Sequence, residues 1–153
     1  MCAQIPFCND KSNFTNKDVT NNSMYASNTT GTTIVVVLGG TLVSLPNNQD
    51  LDGFVVNGAN TIFTVPVSGR YYLTYQVNTT ATLLSNTRLI RNGSPIPGSI
   101  ISPIISTSNF NSDVILFLNQ NDTISLQLFG IIGVATLLGG GATGASLSVI
   151  RLS

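Results

Sequence analysis

The chain has 153 residues, 42% of them hydrophobic and only 8% charged, and its six Lys and Arg balance six Asp to a formal net charge of zero. That length fits one domain with one core, burying roughly 70% of the surface of the unfolded chain, and the charged share falls far below the roughly 25% usual in soluble domains. His and Glu are absent, so the commonest general base and the commonest transition-metal ligand are missing and acid–base work would fall to scattered Asp; with no basic patch, neither nucleic acid nor an anionic membrane is an expected partner.

So little charge beside so much apolar area leaves nothing electrostatic to oppose association between copies, and an oligomer is expected. A monomer kept soluble by its many Asn, Thr and Ser is the alternative. Residues 1–24 differ in kind from the rest: they hold both Cys and both Lys and show almost no alternation of apolar and polar positions. They read as a flexible N-terminal arm before a head at 25–153. Met1 to Phe14 has no basic start followed by a 7–15-residue apolar stretch, so no secretory signal is expected. Within the arm, Cys2 and Cys8 flank Ile5-Pro6-Phe7, a short apolar plug that Pro6 keeps out of helix and holds extended.

From Tyr25 onward, short runs rich in Val, Ile, Leu, Thr and Tyr alternate with turn residues such as Gly39-Gly40, Asp52-Gly53, Asn57-Gly58, Ser68-Gly69, Asn92-Gly93 and Asn121-Asp122. The spacing predicts strands over Thr33–Leu38, Thr41–Leu45, Gly53–Val56, Thr61–Val65, Gly69–Asn78, Thr82–Arg91, Ser99–Thr107, Ser112–Leu118, Asp122–Phe129 and Ala145–Leu152, and no window has a helical period. Repeated strand and turn at this spacing point to an all-β antiparallel sandwich or barrel. In Arg70–Asn78 one face carries Tyr71, Leu73, Tyr75 and Val77 and the other Tyr72, Thr74, Gln76 and Asn78, the period of a half-buried antiparallel strand. Ile124, Leu126 and Leu128, and again Leu147 and Val149, alternate in the same way.

Between Gly130 and Ala145, the pairs Ile131-Ile132 and Leu137-Leu138 mix with Gly139-Gly140-Gly141. Exposed, such a loop would be a liability, so it packs either on a neighbouring subunit or across the end of its own barrel. The apolar stretch Phe129–Leu138 is about half the roughly 20 residues of a membrane-spanning helix, so no membrane insertion is expected. Asp50, Asp52, Asp113 and Asp122 could supply oxygen ligands for calcium, but their wide separation makes that signal weak, and they read first as turn formers or as partners of Arg70, Arg88, Arg91 and Arg151. Two Cys without His cannot complete a zinc site in one chain. No cofactor is expected, and the several Asn-x-Ser/Thr sequons are what an Asn- and Thr-rich chain produces by chance.

Phe63-Thr64-Val65-Pro66-Val67-Ser68-Gly69-Arg70-Tyr71 resembles the aromatic-x-Val-Pro-x-x-Gly-x-Tyr segment of the complement globular-head and tumour-necrosis-factor superfamily, and Asn121–Leu128 resembles its later small-Asp-x-hydrophobic strand. Within that superfamily, Tyr25–Gly31, Pro46-Asn47-Asn48, Asn92–Gly98 and Gly144–Ser153 are similar to the C-terminal domain of the Bacillus collagen-like spore glycoprotein. The resemblance covers about residues 25–153 and implies a homotrimer of jelly-roll sandwiches of about ten strands on the endospore surface, in the exosporium or an appendage. Ile131, Ile132, Leu137, Leu138, Tyr71 and Tyr75 are then the candidate trimer interface. The collagen repeat that precedes the head in that glycoprotein is replaced here by the short arm.

If the arm of one trimer docks its Ile5-Pro6-Phe7 on the next, the head-to-tail contacts do not close and the product is a fibre, similar to spore appendages with N-terminal connectors. At an oxidising spore surface Cys2 and Cys8 would cross-link subunits or anchor the chain; a local Cys2–Cys8 disulfide and two idle thiols are the alternatives. The expected function is a self-assembling structural subunit and not an enzyme, its partners being further copies and an exosporium anchoring protein or tip protein. The alternative is a trimeric tip or lectin-like head that recognises a glycan or host surface through loops near Pro95–Pro97 or Pro103.

Overall fold

The computed structural model describes residues 20–153. Cys2, Cys8, Ile5, Pro6 and Phe7 lie outside the described residues. Strands form where β-branched and aromatic residues alternate with polar ones, and turns where Asn, Asp and Gly interrupt them. In chain order they are β1 (Ser23–Asn28), β2 (Thr33–Val36), β3 (Thr41–Leu42), β4 (Asn47–Asp50), β5 (Val55–Val56), β6 (Phe63–Thr64), β7 (Gly69–Leu83), β8 (Asn86–Arg91), β9 (Ser94–Pro95), β10 (Thr107–Leu118), β11 (Thr123–Phe129), β12 (Gly133–Thr136) and β13 (Ala145–Arg151).

Two antiparallel sheets stack face to face. The first runs β10-β7-β13-β1-β4, and the second β5-β6-β11-β8-β9, with β3 lying on β11 as well. β3 and β6 share one edge of β11 in series, at Gln127–Leu128 and Thr123–Ile124 respectively. The core between the sheets takes Tyr71, Leu73, Tyr75 and Val77 from β7, Leu147 and Val149 from β13, and Leu89, Ile124, Leu126 and Leu128 from the second sheet. All are buried, as the period-2 reading of these strands requires.

A third, two-stranded ribbon pairs β2 with β12, setting Val35 opposite Val134 and Ile34 opposite Ala135. It is tied to the end of the first sheet where Leu137 bridges Thr79 on β7. There the chain crosses itself closely: a Cβ on Gly139 would lie 2.6 Å from the Gly31 backbone, so only glycine fits.

Several elements differ from the sequence expectation. Of the strand expected over Ser99–Thr107, only Thr107 is in one, as the start of β10; the rest is a loop with a single bridge from Ile101 to Thr87, and Pro103, which lacks a donor, sits in its middle. Thr82 and Leu83 extend β7 instead of opening the next strand. β4, made of Asn47-Asn48-Gln49-Asp50, has no apolar residue to betray it, because it is an edge strand held by backbone pairing to β1. β1 begins at Ser23 and Met24 is buried, so the sheet takes in two residues that the sequence boundary assigned to the arm.

Candidate assembly interface

The sheet β10-β7-β13-β1-β4 has one face on the core and one outside, and cross-strand register sorts the outer face into rows. Ile115, Tyr72, Ile150 and Ser23 align in one row, and Phe117 pairs with Arg70 beside it. The next row is Asp113, Thr74, Ser148, Tyr25 and Asp50, and beyond it lie Asn111, Gln76, Ser146 and Ser27. One half of the face is therefore mainly apolar, with Arg70 at its margin, and the other carries hydroxyls, amides and the carboxylates of Asp113 and Asp50.

On the apolar half, Ile115 is 51% and Phe117 58% exposed. Two shallow depressions flank Tyr25: one of about 170 Å³ lined by Ser23, Met24, Tyr25, Asp50, Ser148 and Ile150, and one of about 290 Å³ toward Thr74, Gln76 and Asn111. Antiparallel sheets that face water carry polar residues outside. A half-apolar outer face with concavities beside a protruding aromatic is instead suited to cover by another protein surface.

Three of the six residues expected at a subunit interface lie inside the protomer. Tyr71, Tyr75 and Leu137 are consumed by the protomer's own core and offer no surface to a second copy, which corrects that expectation. The Tyr71 hydroxyl donates to the Val67 carbonyl at 2.6 Å, and its ring meets Phe54 edge-on with centroids 6.1 Å apart. The Tyr75 hydroxyl donates to the Ser99 carbonyl at 2.7 Å and lies 2.9 Å from Thr87 Oγ1. Burial pushes the Tyr75 phenol up to about 12, the Thr87 bond only partly offsetting it. Ile131 and Leu138 are half-buried, with Ile131 packed against the core, and Ile132 alone of the six is freely exposed, beside the β2–β12 ribbon. The Gly130–Ala145 segment thus largely closes its own end of the sandwich.

Phe117, Ile115, Tyr72, Ile150 and Tyr25 were not singled out by sequence. A signal for two of them existed: Val114-Ile115-Leu116-Phe117-Leu118 is an unbroken apolar run, the pattern of a strand covered on both faces.

Arg88, Arg91, Asp122 and Arg151 tie the frame together. Arg91 and Asp122 form an ion pair at 2.6 Å, and Asp122 also accepts from the Asn92 amide and the Asn119 backbone. Burial works to raise the Asp122 carboxyl, but these hydrogen bonds and the Arg91 charge outweigh it and hold it below the ordinary carboxylate value. Arg88 Nε donates to Gln127 and its guanidinium lies 3.9 Å from the centre of the Phe129 ring, while Arg151 donates to the Ser68 carbonyl. Among the described residues, no three Asp or Cys converge on a position that could hold a metal ion.

Two stacked antiparallel sheets in this strand order place the fold among the tumour-necrosis-factor-like jelly rolls. Murine APRIL at pH 5.0 superposes with a TM-score of 0.55 at 18% identity, covering 86% of this chain and 98% of that one. Rabbit GITRL gives 0.50 at 12% identity, covering 74% and 93%. A family model described as the BclA C-terminal domain matches residues 24–153, and the chain belongs to that family. No curated protein matches the chain.

Proposed function

We propose that the chain is a structural subunit of the endospore surface, a trimeric jelly-roll head that assembles through its N-terminal arm into an appendage or exosporium fibre. The observation that carries this reading is the half-apolar outer face of the β10-β7-β13-β1-β4 sheet, set on a domain of the BclA C-terminal family. Three copies packed around a common axis would bury Phe117, Ile115, Tyr72 and Ile150, which the protomer alone leaves to solvent or half-covered. A polymer then needs a second contact between trimers, and the arm supplies it through Ile5-Pro6-Phe7, with Cys2 and Cys8 placed to lock or anchor the joint. Further copies are the principal partner, with an anchoring or tip protein at the fibre ends. The absence of His and Glu supports a role outside catalysis.

The test is negative-stain microscopy of the full chain beside a version beginning at Thr20, each with and without reductant. A start at Tyr25 would remove buried Met24 and part of β1, so the cut belongs before Asn22, whose backbone amide donates to Asp52 at 2.7 Å. Fibres from the full chain and only trimers from the shortened one are expected. Trimers from both would overturn the polymer, and monomers from both would overturn the trimer as well.

A binding head is the second reading, favoured by one observation. The loop around Pro103 holds Ile104 and Ile105 almost wholly in solvent, and a surface ligand could dock there. An arm-less trimer that still binds spore or host surfaces, and loses that binding on Ile104→Asp, is the outcome that would favour it.

A further inference from the structure

We infer that the outward face of the β2–β12 ribbon is the seat of the arm, receiving the Ile5-Pro6-Phe7 plug of a second copy of this chain. The inference rests on the fibre reading and names the surface that reading lacks. The ribbon's inward side, Ile34, Val36 and Ala135, is buried in the core. Its outward side should be polar, yet Val35 and its cross-strand partner Val134 are 64% and 57% exposed, and Val37, Leu38 and Ile132 extend the same patch. Strands apolar on both faces are strands covered on both faces. This patch lies off the sheet face described above.

Three features point to the arm as its cover. The patch is uncharged: no Asp, Lys or Arg occurs in Thr33–Leu38 or Gly130–Leu138, and none occurs in Ile5-Pro6-Phe7, so docking desolvates no ion. The ends are opposed. The chain leaves the head where Ser23 pairs with Ile150, beside Tyr72, whereas the ribbon is tied on at Thr79, about 23 Å further along β7 at roughly 3.3 Å per residue. Heads stacked in the same sense with β7 along the fibre would therefore bring the arm root of one onto the ribbon end of the next. The length suffices as well, since the chain from Thr20 back to Phe7 reaches about 45 Å when extended, at roughly 3.5 Å per residue.

Cross-linking in trans tests this. A full-length chain carrying Cys2→Ser, and so only Cys8, is mixed with a chain beginning at Thr20 that carries Val134→Cys, and the mixture is treated with a mild oxidant. A disulfide between the two different chains is expected, and none with Val67→Cys, which sits at the opposite end of the head. In parallel, the full chain with Val35→Asp and Val134→Asp is expected to lose fibres while its trimers and their melting temperature persist, both positions being exposed. Fibres that survive the double substitution, with no mixed disulfide, would overturn the seat and leave the fibre reading standing. A disulfide found only when Cys8 and the cysteine at 134 share one chain would also overturn it, showing an arm folded on its own head. If the wild-type chain makes no fibres yet the mixed disulfide forms, the seat stands and the fibre reading falls.

Discussion

Tyr75 shows how this core handles its polar atoms. Its ring fills apolar space while its hydroxyl closes a buried network with Thr87 and Ser99. Tyr75→Phe is expected to cost about 1–3 kcal/mol, because the Ser99 carbonyl loses its donor from the phenol in a site that water does not reach. Denaturant unfolding would measure it. The same phenol sets an alkaline limit. An unfolded chain releases this proton near the ordinary value of about 10, whereas the folded chain keeps it to about 12. Stability is therefore intact below the lower value and falls between the two, by at most about 1.4 kcal/mol per pH unit, and Tyr75→Phe should flatten that fall. Asp122 works at the other extreme: its carboxyl is held low, so its contribution is present above the ordinary carboxylate range and is lost as the pH falls through its folded value. Asp122→Asn should remove this acid-range loss, at the cost of lower stability at neutral pH, as thermal melts across the acid range would show.

Elements here are fixed less by propensity than by what they close. The β8–β9 hairpin turns on Asn92-Gly93, both with positive φ of 50° and 81°, and the Asn92 side chain reaches across to accept from the Thr123 amide. That turn was legible as a dipeptide; its lateral bond to β11 was not. At the other end of the sandwich, Gly139 packs on Gly31 with no room for a Cβ. Gly139→Ala is expected to destabilise by about 1–3 kcal/mol, since backbone must move to admit the methyl group. By contrast Gly140→Ala meets no neighbouring atom and carries only the strain of its positive φ. Comparing the two urea midpoints separates packing from backbone strain. In the second sheet, Leu126 is flanked by strands on both sides and fully buried, so Leu126→Ala should cost about 2–5 kcal/mol in the same assay.

At the scale of the molecule, the outer sheet face makes its own prediction. Phe117→Asp or Ile115→Asp leaves the protomer core untouched, because both side chains point outward, and should shift the sedimentation of the proposed trimer to that of a monomer. Unchanged trimers would move the interface to another surface. The strands that bury one face were legible in the sequence because period 2 writes inside and outside directly into β7, β11 and β13. So were the turns, where Asn, Asp and Gly recur at positive φ. The small charge and the absence of His and Glu also narrowed the functions to be expected without any structure. Parity could say that Tyr71 and Tyr72 face opposite ways and that Tyr71 shares the apolar face of Leu73 and Val77; it could not say that this face meets the second sheet of the same protomer and not a second copy. Nor could composition distinguish Leu137, sealed in the core, from Ile132, five residues away and exposed. Both are apolar residues in one glycine-rich segment, and only long-range pairing, β12 onto β2 and Leu137 onto Thr79, assigns them their sides. Sequence carries the local period of each strand, while burial belongs to contacts between residues far apart in the chain, and those exist only once the sheets have stacked.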